Sequence, residues 1–86
     1  MEEKKMGEVA HYFGHISVAA VKITGEGLKV GDTIHIKGHT TDFQQEIESM
    51  QIEHQEIETA KPGDDIGLKV KEHVRVGDAV YKVISE

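Results

Sequence analysis

The chain has 86 residues, of which 30% are charged and 37% hydrophobic, and a net charge of −6. That length suits one domain burying roughly 60–65% of its unfolded surface, and it excludes a large enclosed substrate cavity. The absence of cysteine removes disulfides, thiolate metal sites and cysteine nucleophiles, and the acidic balance opposes unaided binding to a phosphate backbone.

Residues 1–7, MEEKKMG, read as a mixed-charge flexible leader, and 8–86 as a single domain. The start has no apolar run of signal-peptide type and no segment is long enough to span a bilayer, so the expected location is cytoplasmic. EVAHYF (8–13) alternates once and breaks at Gly14. ISVAAVKIT (16–24) sets Ile16, Val18 and Ala20 on one face, then moves to Val21 and Ile23. That change of parity predicts a β-bulge or a strand covered on both sides. TGEG (24–27) is a turn. DTIHIKG (32–38) directs Ile34 and Ile36 inward, with His35 and Lys37 outward. DIGLKVKE (65–72) alternates Ile66, Leu68 and Val70 against Lys69 and Lys71, and AVYKVIS (79–85) closes the chain as an apolar strand. Short strands with regular turn signals predict a small barrel or sandwich.

Residues 40–60 conflict with this pattern. Phe43, Ile47, Met50, His54 and Ile57 fall at spacings of 4, 3, 4 and 3, the stripe of an amphipathic helix. Thr41 and Gln44 suit a capping box. Local pattern alone therefore predicts a helix over about 43–58 and an α+β fold; only Ile52 falls off the stripe.

One device occurs three times: Val30-Gly31-Asp32, Pro62-Gly63-Asp64 and Val76-Gly77-Asp78, each just before a strand and each preceded by Lys29, Lys61 or Arg75. A type II turn takes φ near −60° at its second position, which proline supplies, and positive φ at its third, which glycine supplies. Aspartate at the fourth position can bond nearby backbone N–H groups. Three copies predict three corners. A phosphate loop would need more glycines and a following helix, so no nucleotide site is expected.

The order of these motifs carries a resemblance. GHISVAAVKITGEGLKVGDTIHIKG, then IESMQIEHQEIETAKPGDDIGLKV and VRVGDAVYKV, resembles the second domain of translation GTPases such as elongation factor Tu, from about residue 8 onward. It is similarly close to the C-terminal barrel domain of collagenase-like bacterial peptidases and to small free-standing translation elongation factor-like proteins. The resemblance implies an all-β fold, a small closed six-stranded Greek-key barrel, with 43–58 in strands because long-range pairing overrides local propensity. It also implies a stand-alone, non-catalytic interaction module that docks to a separate translational or peptidase-like partner.

The remaining constellations are weak as chemistry. His11 and His15, and His35 and His39, are four apart, which suits zinc on a helix but spans roughly 13 Å in a strand. No metal or other cofactor is expected, and a histidine-based metal enzyme is the least favoured reading. Ser17, Ser49 and Ser85 lack a nucleophile-elbow context, and Glu46, Glu48, Glu53, Glu56 and Glu58 read as a solvated face. His54, if inward, would be a hydrogen-bonded imidazole. Lys37, Lys69 and Lys71, with His35 and His39, form the candidate partner-binding patch; its alternative use is binding of tRNA or rRNA.

Overall fold

Outside residues 43–58 the chain offers little helix-forming sequence, and the computed structural model, which describes residues 2–84, contains strands and no helix. The strands are β1 (Glu2–Phe13), β2 (Val18–Ile23), β3 (Leu28–Lys29), β4 (Thr33–Lys37), β5 (Asp42–Glu46), β6 (Met50–Ile52), β7 (Gln55–Ile57), β8 (Thr59–Ala60), β9 (Asp65–Lys69) and β10 (Ala79–Ile84). Eight of them form one antiparallel sheet in the order β5-β4-β10-β1-β2-β9-β6-β7, and β3 pairs with β8 in a separate ribbon. The all-β class expected from the motifs is what the chain adopts.

Period-two alternation decides which side chains enter the core. Ile34 and Ile36 of β4 and Ile66 and Leu68 of β9 are buried, as the sequence predicts. Burying each of these side chains contributes roughly 1.5–3 kcal/mol. In β2 the outcome differs: Ala19, Val21 and Ile23 point inward in unbroken alternation, so Val18 and Ala20 face outward, and Ile16, in the preceding turn, is exposed. The irregularity sits instead in β1, whose register shifts between Lys5 and Gly7 against β10 and between Val9 and His11 against β2. These bulges bend a twelve-residue strand so that it serves both neighbours.

Residues 2–7, expected as a leader, lie in β1; Glu2–Lys5 pair with β10 and Met6 is 1% exposed in the core. Met1, and Ser85 of the last predicted strand, lie outside the described residues.

The helix predicted over 43–58 is replaced by β5, β6 and β7. β5 pairs with the preceding strand β4, and β6 pairs with β9, some 16 to 18 residues further along the chain, so strand pairing outweighs the local stripe. The stripe residues Ile47 and Met50 still enter the core, and Phe43 and Ile57 pack against it.

The expected closed six-stranded barrel also needs correction. Among the described residues there are ten strands, and the hydrogen-bonded ladder of the eight-stranded sheet ends at β5 and at β7. Beyond β5 a side chain takes the place of a strand. Gln45 is buried, donates from Nε2 to the Lys69 carbonyl at 2.9 Å and accepts the Lys71 N–H on Oε1 at 2.8 Å. Its primary amide thus reproduces both halves of a backbone pair and ties β5 to the end of β9.

Candidate interaction surface

The three Gly-Asp turns share one geometry. Gly31, Gly63 and Gly77 have φ of 97, 92 and 93°. The N–H groups of Asp32, Asp64 and Asp78 donate to the carbonyls of Lys29, Lys61 and Arg75 at 3.1, 3.0 and 3.1 Å. Each aspartate Oδ2 accepts the N–H of that same basic residue, at 3.0, 2.9 and 2.9 Å. Val30, Pro62 and Val76 occupy the second position. The carboxylates are therefore engaged at separate corners, and Asp78 is buried against Gly38.

The five residues of the predicted basic patch do not share one strand pair. His35 and Lys37 are on β4 and exposed His39 is in the β4–β5 turn, whereas Lys69 ends β9 and Lys71 follows it; β4 and β9 are not paired. Carboxylates accompany several of them. Lys71 Nζ lies 3.9 Å from Glu48. His35 is held by two acids, with Nδ1 2.8 Å from Glu3 Oε2 and Nε2 in contact with Asp42 Oδ1.

A neutral imidazole has one N–H to donate, so only the doubly protonated ring satisfies both carboxylates. The bond to Asp42 is the main cause that raises the His35 pKa above its ordinary 6.5; burial opposes it, and Glu3 adds to the rise. The same bond lowers the Asp42 pKa below 3.8. The histidine contribution to stability is complete below pH 6.5 and is lost as pH rises through the raised value. The aspartate contribution is complete above pH 3.8 and is lost as pH falls through its lowered value. Both are present between these limits. The expected result is that the urea midpoint of the native chain falls, relative to His35→Gln, as pH rises above 6.5. Parallel pH profiles for the two proteins would refute the assignment.

Among the described residues, no group of three His, Cys, Asp or Glu side chains is placed to hold a metal. His11 instead packs against Phe13, its ring tilted by 57° with centroids 4.5 Å apart. His54 is exposed, not inward; it shares the β6–β7 turn with Glu53, and both have positive φ, 67 and 51°. All five acids read as a solvated face are exposed, but only Glu48, Glu56 and Glu58 gather, around a shallow depression with Val30, Ser49, Met50 and Ile57.

A more apolar concavity lies elsewhere, on the outer face of β2, β9 and β6. An open groove of about 380 Å³ runs between the β1–β2 tip and the β6–β7 turn. Phe13, Ile16 and Val18 line one wall, Gln51, Glu53 and His54 the other, and Ala20 and Gly67 lie between them. Phe13 and Ile16 are 45% and 61% exposed. Ala20 and Gly67 are in register, and so are Gly67 and Gln51, so two small residues leave the sheet face low across β2 and β9. The sequence pattern does not single out this surface, because the change of parity in 16–24 reads as a β-bulge or a strand covered on both sides and leaves the outward face of β2 undecided. The shared parity of Ile16, Val18 and Ala20 was the available signal.

No protein-family profile matches the chain. Over 78 residues it is 42% identical to an uncharacterized protease of Methanocaldococcus jannaschii and 37% identical to a collagenase of Porphyromonas gingivalis. Each match covers 90% of this chain but only 19% and 22% of the relative, so the chain spans about a fifth of the length of the curated relatives it matches. Among solved structures it is similar to the C-terminal domain of a Geobacillus thermoleovorans protein assigned as a U32 peptidase. Two structures of that domain superimpose with TM-scores of 0.83 and 0.85 at 24% identity, over 90% and 92% of this chain and 96% and 91% of theirs. The likeness shows a shared fold and agrees with the collagenase-like half of the motif resemblance. Relatives named as a protease and a collagenase overturn the expected translation-factor-like docking role, and the RNA-binding alternative gains nothing from them.

Proposed function

We propose, from the likeness to peptidases and collagenases, that the chain is a peptidase-associated domain that positions protein substrate and performs no hydrolysis itself. The observation that carries this reading is the 42% identity to a protease over 90% of the chain. The fold likeness to a domain C-terminal in a U32 peptidase supports the accessory role. The geometry is consistent with it. The turn aspartates are occupied by backbone N–H groups, and both His35 nitrogens face carboxylates, which leaves neither free to activate a nucleophile.

The experiment is a graft. The stretch of the P. gingivalis collagenase that matches this chain is deleted or exchanged for residues 1–86, and cleavage of labelled gelatin is followed. Deletion is expected to raise KM more than it lowers kcat, and the graft to restore KM to within about threefold of the parent. Gelatin hydrolysis by the purified chain alone would refute the non-catalytic assignment. An unchanged KM on deletion would refute the positioning role.

A further inference from the structure

The groove between the β1–β2 tip and the β6–β7 turn has the composition of a peptide site. We infer that it binds an extended polypeptide segment carrying an apolar side chain beside lysine or arginine, an inference that rests on the peptidase-associated reading and names its substrate class. Three observations carry it. Two large apolar side chains, Phe13 and Ile16, stand exposed on one wall. Such an exposed pair beside a concavity marks a contact surface more often than a scattered apolar residue does.

The charged side chains lining the groove are the carboxylates of Glu53 and Asp65, and His54 lines it beside them. Among the described residues, neither carboxylate has an ion-pair partner within 4.0 Å. Lys22, opposite Asp65 in register, is outside the lining. An apolar floor with unpaired acids at its rim complements a basic, partly apolar chain and opposes an acidic one.

Gly67 is the third observation. A Cβ there would meet Val18 Cγ1 at 3.4 Å and the Gln51 carbonyl at 3.8 Å, ordinary contact distances, and the residue is not among the positive-φ glycines. Neither backbone nor packing requires a glycine at this strand position, which by itself weakens a strand. Close approach of another backbone over the sheet is the use that remains. Leu, Arg or Lys side chains flanking a glycine or alanine would let a bound backbone settle over Gly67 and Ala20 with apolar contact to Phe13 and charge contact to Glu53.

The test is titration of the full chain with two fluorescein-labelled decapeptides of equal apolar content, one bearing arginine and lysine and the other glutamate at the same positions. The arginine–lysine peptide is expected to bind at least about tenfold more tightly at low salt. Phe13→Ser with Ile16→Ser should weaken it about tenfold or more. Gly67→Ala should raise the melting temperature by roughly 2–8 °C while weakening the peptide, a combination that loss of folding cannot produce. Amide shifts on binding should centre on Ala20, Gly67 and Gln51.

Equal binding of the two peptides, unchanged binding by the Phe13/Ile16 variant, or shifts centred elsewhere would overturn the inference. Concentration-dependent self-association abolished by the same variant would also overturn it and assign the groove to a second copy. If the peptides fail but the graft still restores KM, the groove is wrong and the peptidase-associated reading stands. If the peptides bind while the graft has no effect, that reading fails and the site remains.

Discussion

Replacing Gln45 by leucine is expected to cost about 2–4 kcal/mol of folding stability, a large share of the total of roughly 4–13 kcal/mol available to a chain of this length. Leucine is of similar size and keeps the apolar stem buried, so little packing is lost. What it removes is the pair of bonds that Gln45 makes to the Lys69 carbonyl and the Lys71 N–H. Both backbone groups then lack partners at the seam where β5 has no neighbouring strand. Gln45→Glu retains the acceptor for Lys71 but, as a carboxylate, sets a buried negative oxygen against the Lys69 carbonyl, and at neutral pH should cost at least as much as leucine. Urea denaturation measures the series. A Gln45→Leu midpoint equivalent to a change under about 0.5 kcal/mol would mean that water serves those groups and that the amide is not the clasp.

The second large effect concerns two glycines that the sequence places in one stretch, GLKVGD. Gly27 and Gly31 both have positive φ, 110 and 97°. At Gly31 an added Cβ meets nothing within 4 Å, so alanine there bears only the conformational cost, roughly 1–2 kcal/mol. At Gly27 the same Cβ would overlap the carbonyl oxygen of Ala60. That carbonyl belongs to β8, which pairs through Ala60 with Leu28 of β3, and Leu28 is 2% exposed. Relieving the overlap means parting the ribbon and uncovering Leu28. Gly27→Ala is therefore expected to cost at least about 3 kcal/mol, well beyond Gly31→Ala. Equal destabilisation of the two variants, by thermal or urea unfolding, would show that φ alone governs both sites.

Several parts of this molecule were legible before any fold was known because they depend on a few neighbouring residues. The Val/Pro-Gly-Asp corners need only the φ preferences of proline and glycine and a short carboxylate within reach of a backbone N–H. Ile34, Ile36, Ile66 and Leu68 are placed by alternation within their own strands. The stripe of 43–58 shows the limit of that reasoning. Its spacing of 4, 3, 4, 3 is also met by strand, loop, strand and turn, and pairing with β4 and β9 settles the ambiguity.

The candidate groove lies on the other side of that limit. In isolation, the change of parity in 16–24 leaves the face of Val18 and Ala20 undecided, and only the burial of Ala19, Val21 and Ile23 shows that they point outward. Likewise His35 is 32 residues from Glu3 and 7 from Asp42, and no local spacing announces their meeting.

Turn stereochemistry, side-chain alternation and charge are local or additive, so the corners, most of the strands outside residues 43–58, the inward isoleucines and the acidic balance follow from the chain alone. The tertiary structure alone decided which face of β2 is wet, that Gln45 stands in for a strand, and that Phe13 and Ile16 face Glu53 and His54 across a groove. Those outcomes depend on strand register and on bulges in β1, and a one-residue shift in register exchanges the two faces of a sheet.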